Sequence, residues 1–175
     1  MPVISNLLFQ KPIYYVTRDI ERALGLPPQT KGYYIISNLT EYSKKIAGGQ
    51  KNILLIDAKK TLDTAELLAH IQTKNFIPHG ANIIIFKNTS RIEAICAKND
   101  WILLNPTATM SKIIEEKISQ VKWLDELSRY LPPHKINIAK NITFDDTPFI
   151  LQFNRAHTGL GTLLIESKKQ LTKIQ

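Results

Sequence analysis

Five apolar runs, each about four residues long, constrain this chain more than any other feature. They occupy residues 13–16, 33–36, 53–56, 83–86 and 101–104. None alternates apolar with polar side chains, so each reads as a strand covered on both faces. The segments between them carry helix-start signals. Asp63 with Glu66, and Ser90 with Glu93, have the spacing of reciprocal N-terminal caps. Ile92, Ile95 and Cys96 share one helical face, and Ala65, Leu68 and Ile71 share another. Gly25 and the Pro27-Pro28 pair end a short first helix. Strand alternating with helix predicts an α/β unit, a parallel sheet with flanking helices, over residues 1–106.

Bulk properties narrow the function classes. The chain has 175 residues, 43% apolar and 22% charged, as expected of a folded protein with room for one domain and part of a second. No apolar run approaches the ~20 residues needed to cross a bilayer, and residues 1–10 lack the pattern of a secretion signal. The lone Cys96 excludes an internal disulfide, so a cytoplasmic setting is expected. The net charge of +8 permits an acidic partner. Its lysine pairs, Lys44-Lys45, Lys59-Lys60 and Lys168-Lys169, are scattered. They form no aromatic-basic cluster, which makes nucleic acid an unlikely partner. Homodimerisation is left open. His70, His79 and His134 have no partners at metal-ligand spacing.

After Asn105-Pro106 the texture changes. Ile113, Ile114, Ile118 and Val121 make a helical stripe, Leu124, Leu127 and Leu131 continue one, and Pro132-Pro133 stops it. A short strand is expected at residues 136–138, and Trp101 and Trp123 are expected as core anchors. Residues 107–175 thus read as a helical connection leading into an incomplete α+β subdomain.

That subdomain holds a hairpin. The apolar run Ile150-Leu151 enters a polar loop through Gln152 and Phe153, and Leu163-Leu164-Ile165 leaves it. Between them lie His157, Thr158, Gly159, Gly161 and Thr162. The loop fails the P-loop pattern because no Lys follows the glycine, and it fails the dinucleotide fingerprint because a strand follows instead of a helix. Two glycines can still turn backbone N–H groups toward an anion, and Thr158, Thr162 and His157 add donors. Taken alone, the same residues also describe a plain turn. Lys117 is equally a solvated helix lysine, and Gln152 equally a cross-strand pairing residue. Arg18, with Asp19, follows the first run and Asp57 follows the third, where open α/β sheets bind ligands. Surface or capping roles compete for both.

The order of parts resembles the opening of the ATP-grasp superfamily: a Rossmann-like preliminary domain, a helix with an acidic-Lys pair, then a hairpin with a mobile glycine-rich loop. Asn105-Pro106 sits at the family's Asn-Ser/Thr-Pro junction. Glu116-Lys117 sits at its Asp-Lys pair, Ile150-Leu151-Gln152 at its Val-Val-Lys strand, and residues 157–162 at its mobile loop. The resemblance implies the N-terminal portion of an ATP-dependent carboxylate ligase, with ATP and Mg as cofactors and a carboxylate as substrate. Lys117, Gln152, His157, Thr158, Gly159, Gly161 and Thr162 would bind the nucleotide. No catalytic residue is assigned. Gln152 departs from the family's Lys. The magnesium-holding acids of the family lie beyond Gln175, so this portion alone is expected to be inactive. The alternative is a non-catalytic Rossmann-like protein-binding module.

Overall fold

Each of the apolar runs forms a strand: β1 Ile13–Val16, β2 Tyr33–Asn38, β3 Ile53–Ile56, β4 Asn82–Ile85 and β5 Ile102–Leu103. In the computed structural model, which describes residues 11–156 and 161–175, they pair in the order β3-β2-β1-β4-β5, every pair parallel. Five helices, α1 Glu41–Ala47, α2 Thr64–Ala69, α3 Ile71–Phe76, α4 Ser90–Lys98 and α5 Ala108–Glu115, follow these strands. By internal contacts the chain divides into two units, residues 1–111 and 112–175, and the division falls inside α5.

The alternation of side chains across the sheet explains why the runs are apolar throughout. Val16, Ile36, Ile56 and Ile83 face one core, built with Leu67 and Leu68 of α2 and Ile92 and Cys96 of α4. Ile13, Tyr33, Ile35 and Ile53 face the other, covered by Ile20 and Ala23 of a 3₁₀ turn and Ala47 of α1. Each fully buried aliphatic side chain stabilises the fold by roughly 1.5–3 kcal/mol. The buried Tyr33 hydroxyl donates to the Ala23 carbonyl at 2.7 Å, and burial raises its pKa. Burial alone pushes the Cys96 thiol up to about 11, which marks it as a core group, not a nucleophile.

Capping follows the sequence at one site and departs from it at another. Asp63 Oδ1 accepts from the Glu66 N–H at 2.7 Å, and Glu66 Oε2 accepts from the Asp63 N–H at 2.9 Å. Asp63→Ala should therefore cost about 1 kcal/mol in a urea unfolding titration; an unchanged midpoint and slope would show that this box contributes nothing. The second expected pair is corrected: Thr89, not Ser90, caps α4 by accepting from the Ile92 N–H. Glu93 is drawn away to accept from Asn88 Nδ2 at 3.0 Å and from the Ala108 N–H at 2.7 Å. Ile71 is also corrected. A break at His70 separates α2 from α3 and leaves Ile71 64% exposed.

β4 starts and ends one residue before the apolar run, because a side chain replaces the ladder at its end. Asn105 Oδ1 accepts from the Ile85 N–H at 2.9 Å, and Asn105 Nδ2 donates to the Ile85 carbonyl at 2.8 Å. Phe86 is thereby left outside the strand and exposed.

The second unit contains α6 Lys117–Trp123, 3₁₀ turns at Asp125–Tyr130 and Ala139–Asn141, an antiparallel hairpin of β6 Phe149–Gln152 and β7 Thr162–Ile165, and α7 Lys168–Thr172. Among the described residues, its buried apolar side chains are Ile165 and Leu171. The continuous helical stripe is not formed. Glu116 has extended backbone (φ −71°, ψ 120°), so α5 and α6 do not share one face. Trp123 is 53% exposed and is not a core anchor, unlike Trp101. Residues 136–138 form no strand, and Ile136 and Ile138 point to solvent.

Candidate functional site

A strand order that reverses direction creates a crevice. The chain leaves β1 for β2 on one side, whereas β4 leads to β5 on the other. At the C-terminal ends of β1 and β4 this topology leaves an open cleft of about 90 Å³. It is lined by Thr17, Arg18, Asp19 and Arg22 after β1, Thr64 at the start of α2, and Phe86 and Lys87 after β4.

The loop that carries Arg18 is fixed from below. Ser37 Oγ and Asn38 Nδ2, both buried at the end of β2, donate to the Arg18 carbonyl at 3.1 and 2.9 Å. Asn38 Nδ2 also donates to the Leu62 carbonyl, and Asn38 Oδ1 accepts from the Leu62 N–H, each at 2.9 Å. Above this floor the side chains are charged. Arg18 Nε donates to both oxygens of Asp19, at 3.1 and 3.2 Å, and this contact raises the guanidinium pKa further. Arg22 Nε lies 3.6 Å from Asp19 Oδ2, and its guanidinium stacks on the Phe86 ring at 3.8 Å. Exposed pairs of this kind contribute little stability, typically about 0–1 kcal/mol. Two arginines, Arg18 and Arg22, thus meet at the one carboxylate of Asp19. Arg18 is the one sequence-predicted residue in this cleft. Asp57 is exposed at the end of β3, within electrostatic range of Lys44, and does not line it.

Within the second unit, the start of α6 is tied to the hairpin. Lys117 Nζ donates to the carbonyls of Phe153 and Ala156, at 3.1 and 2.8 Å. The Lys117 N–H donates to the Asn154 carbonyl at 3.3 Å, and Asn154 Oδ1 accepts from the Ile118 N–H at 3.0 Å. Glu116 pairs with Arg155 at 2.8 Å. Lys117 is thus engaged with the backbone where the glycine loop begins. Gln152 opposes Thr162 in the ladder, with Nε2 3.4 Å from Thr162 Oγ1. Gly161 accepts the Phe153 N–H at 2.9 Å. The hairpin so gathers Lys117, Gln152, Gly161 and Thr162, whereas His157, Thr158 and Gly159 lie outside the described residues.

Sequence reasoning passed over Arg22, Phe86 and Lys87. Arg22 stands four residues after Arg18, which is a visible signal. Phe86 and Lys87 join it only through the pairing of β4 with β1, which no local pattern encodes. Among the described residues, no group of three or more His, Cys, Asp or Glu is placed to hold a metal ion, and no helix is long and apolar enough to cross a membrane. No protein-family model matches the chain, and no curated protein matches it.

Proposed function

We propose that this chain is the N-terminal portion of an ATP-dependent carboxylate ligase of the ATP-grasp type. On this reading the γ-phosphoryl group of ATP passes to a substrate carboxylate oxygen, ADP leaves, and an amine or thiol then attacks the acyl carbon and expels phosphate. The hairpin loop covers the phosphates and excludes water while the acyl phosphate exists. The carboxylates that hold magnesium are supplied beyond Gln175. The observation that carries the reading is the grip of Lys117 on the Phe153 and Ala156 carbonyls, which couples the Glu116-Lys117 helix to the loop. On this reading the Lys117 cation, held at the segment that leads into the loop, supplies positive charge to the phosphates.

The test is calorimetric titration of ATP and magnesium into the protein extended through its native downstream coding sequence. A saturable heat is expected. Lys117→Met should weaken binding about tenfold, the scale of a hydrogen bond to a charged group. Absence of heat, with folding confirmed by circular dichroism, argues strongly against the ligase.

A second reading, a non-catalytic protein-binding module, draws support from the outer face of the hairpin. Ile150 and Leu164 are directly opposed in the ladder, and they are 57% and 53% exposed. A native reading frame that stops at Gln175 would favour this module; one that runs on for a further domain with spaced Glu and Asn favours the ligase.

A further inference from the structure

The geometry points to the cleft between the ends of β1 and β4 as a binding site for the oxyanion of a small metabolite, a carboxylate or a phosphoryl group. The inference rests on the parallel-sheet unit alone and does not depend on the nucleotide reading.

Charge, donor geometry and size each bear on the ligand. Arg18 and Arg22 bring two positive charges to the lining against the one negative charge of Asp19, so the arginines are not neutralised by it. A small anion is thus drawn in, and a cation or neutral group is not. Asp19 meets each arginine through Nε. A guanidinium is a planar fork with five donors, suited to bidentate capture of carboxylate or phosphate. Phe86 supports the Arg22 guanidinium from one side, which limits its freedom before any ligand arrives. Thr64, at the start of α2, also lines the cleft.

The volume then decides how much of a ligand is held. A cleft of about 90 Å³ has room for a few waters' worth of matter. That suits one carboxylate or phosphoryl group and excludes a whole nucleotide, whose sites are several times larger. The rest of the ligand must lie outside, across the exposed Phe86 ring.

The floor gives the site a fixed frame. The Arg18 carbonyl is held by Ser37 and Asn38, so the backbone that places Arg18 does not have to be ordered on binding. This separates the cleft from a chance meeting of surface arginines on a loop.

The experiment is a titration of the 175-residue chain, followed by ¹H–¹⁵N spectra of backbone and arginine side-chain resonances. Sodium phosphate and sodium succinate are the probes, with sodium chloride balancing ionic strength. Saturable shifts confined to Thr17, Arg18, Arg22, Phe86 and Lys87 are expected with one probe or both. A response to phosphate alone assigns a phosphoryl ligand, and a response to succinate alone a carboxylate. The Arg18→Gln/Arg22→Gln double variant should bind at least about tenfold more weakly. Arg91→Gln, an exposed arginine of α4 outside the cleft, should bind as the parent does. Shifts that rise linearly without saturation for both probes overturn the proposal, as does a folded double variant with undiminished affinity. Should the double variant fail to fold, the parent titration still decides. Arg22→Lys then adds a second reading, because it keeps the charge but loses the fork and should weaken binding severalfold.

Discussion

Replacing Asn38 with Leu should lower the stability of the parallel-sheet unit by about 3 kcal/mol and remove anion binding at the cleft with it. Asn38 is 4% exposed and makes three hydrogen bonds, to the Arg18 carbonyl and to both backbone groups of Leu62. Leucine fills nearly the same space and makes none of them. The Leu62 N–H and carbonyl would lose their side-chain partner, and the Arg18 carbonyl would keep only the Ser37 hydroxyl. An unsatisfied buried group costs about 1–3 kcal/mol, against a net hydrogen-bond value near 1. That asymmetry puts the expected loss above that of an ordinary surface change. In thermal unfolding the midpoint of this unit should fall by roughly 12 °C or more. Asn38→Asp separates the roles of the two side-chain atoms. It keeps an oxygen for the Leu62 N–H but loses the donor to Arg18, and it should be destabilised as well. A Leu variant that melts with the parent would show that this network does not hold the β1 loop in place.

The prediction also marks where the sequence could be read and where it could not. The strands were legible because two-sided burial leaves only apolar residues in them. A run such as Ile53-Leu54-Leu55-Ile56 has no other soluble use at that length. The Asp63–Glu66 box was legible because its partners are three residues apart. Glu93 was misread because its acceptor oxygen is taken by Asn88 and by Ala108, the latter fifteen residues along the chain. Helix-start spacing cannot register such a competitor. The stripe from Ile113 to Val121 failed for a related reason: it was continuous in sequence, but one extended residue at Glu116 divides it into two helices.

The cleft was half legible. Arg18 stood out from its place after a strand, and the strand-end rule for open α/β sheets found it. Thr17, Asp19 and Arg22 share its segment, but Thr64, Phe86 and Lys87 come from two separated segments, and Phe86 and Lys87 join only because β1 is paired with β4. Buried Ser37 and Asn38 read locally as the polar end of a strand. Their importance lies in the Arg18 carbonyl, about twenty residues away. Residues that build a site's frame at such separations carry no periodic signal. They are recognised only once the topology is known.

The second large effect is expected at Gly161. The sequence suggests that glycine serves there for its backbone freedom, but the structure adds a reason of space. A Cβ built at Gly161 would overlap the Cβ of Ala156 and come within 3.3 Å of the Cβ of Phe153. Neither atom is the end of a flexible chain, so the backbone itself must shift. Gly161→Val forces that shift with a β-branched side chain, at a cost of about 1–3 kcal/mol or more. A two-stranded hairpin has little stability to lose. The Phe153 N–H bond to the Gly161 carbonyl should open, and with it the closing end of the ladder beyond Gln152 and Thr162. Amide exchange at Phe153 should therefore accelerate by at least about tenfold, while exchange at Ile35 and Ile83 in the sheet stays as it was. In the extended protein, nucleotide affinity should fall below calorimetric detection. Lys117 gives the physical link, since both carbonyls it grips belong to the segment that Gly161 packs against. Unchanged nucleotide binding in a variant whose hairpin has opened would remove the hairpin from the nucleotide site. Loss of exchange protection at Ile35 together with Phe153 would instead make the hairpin a structural part of the whole chain.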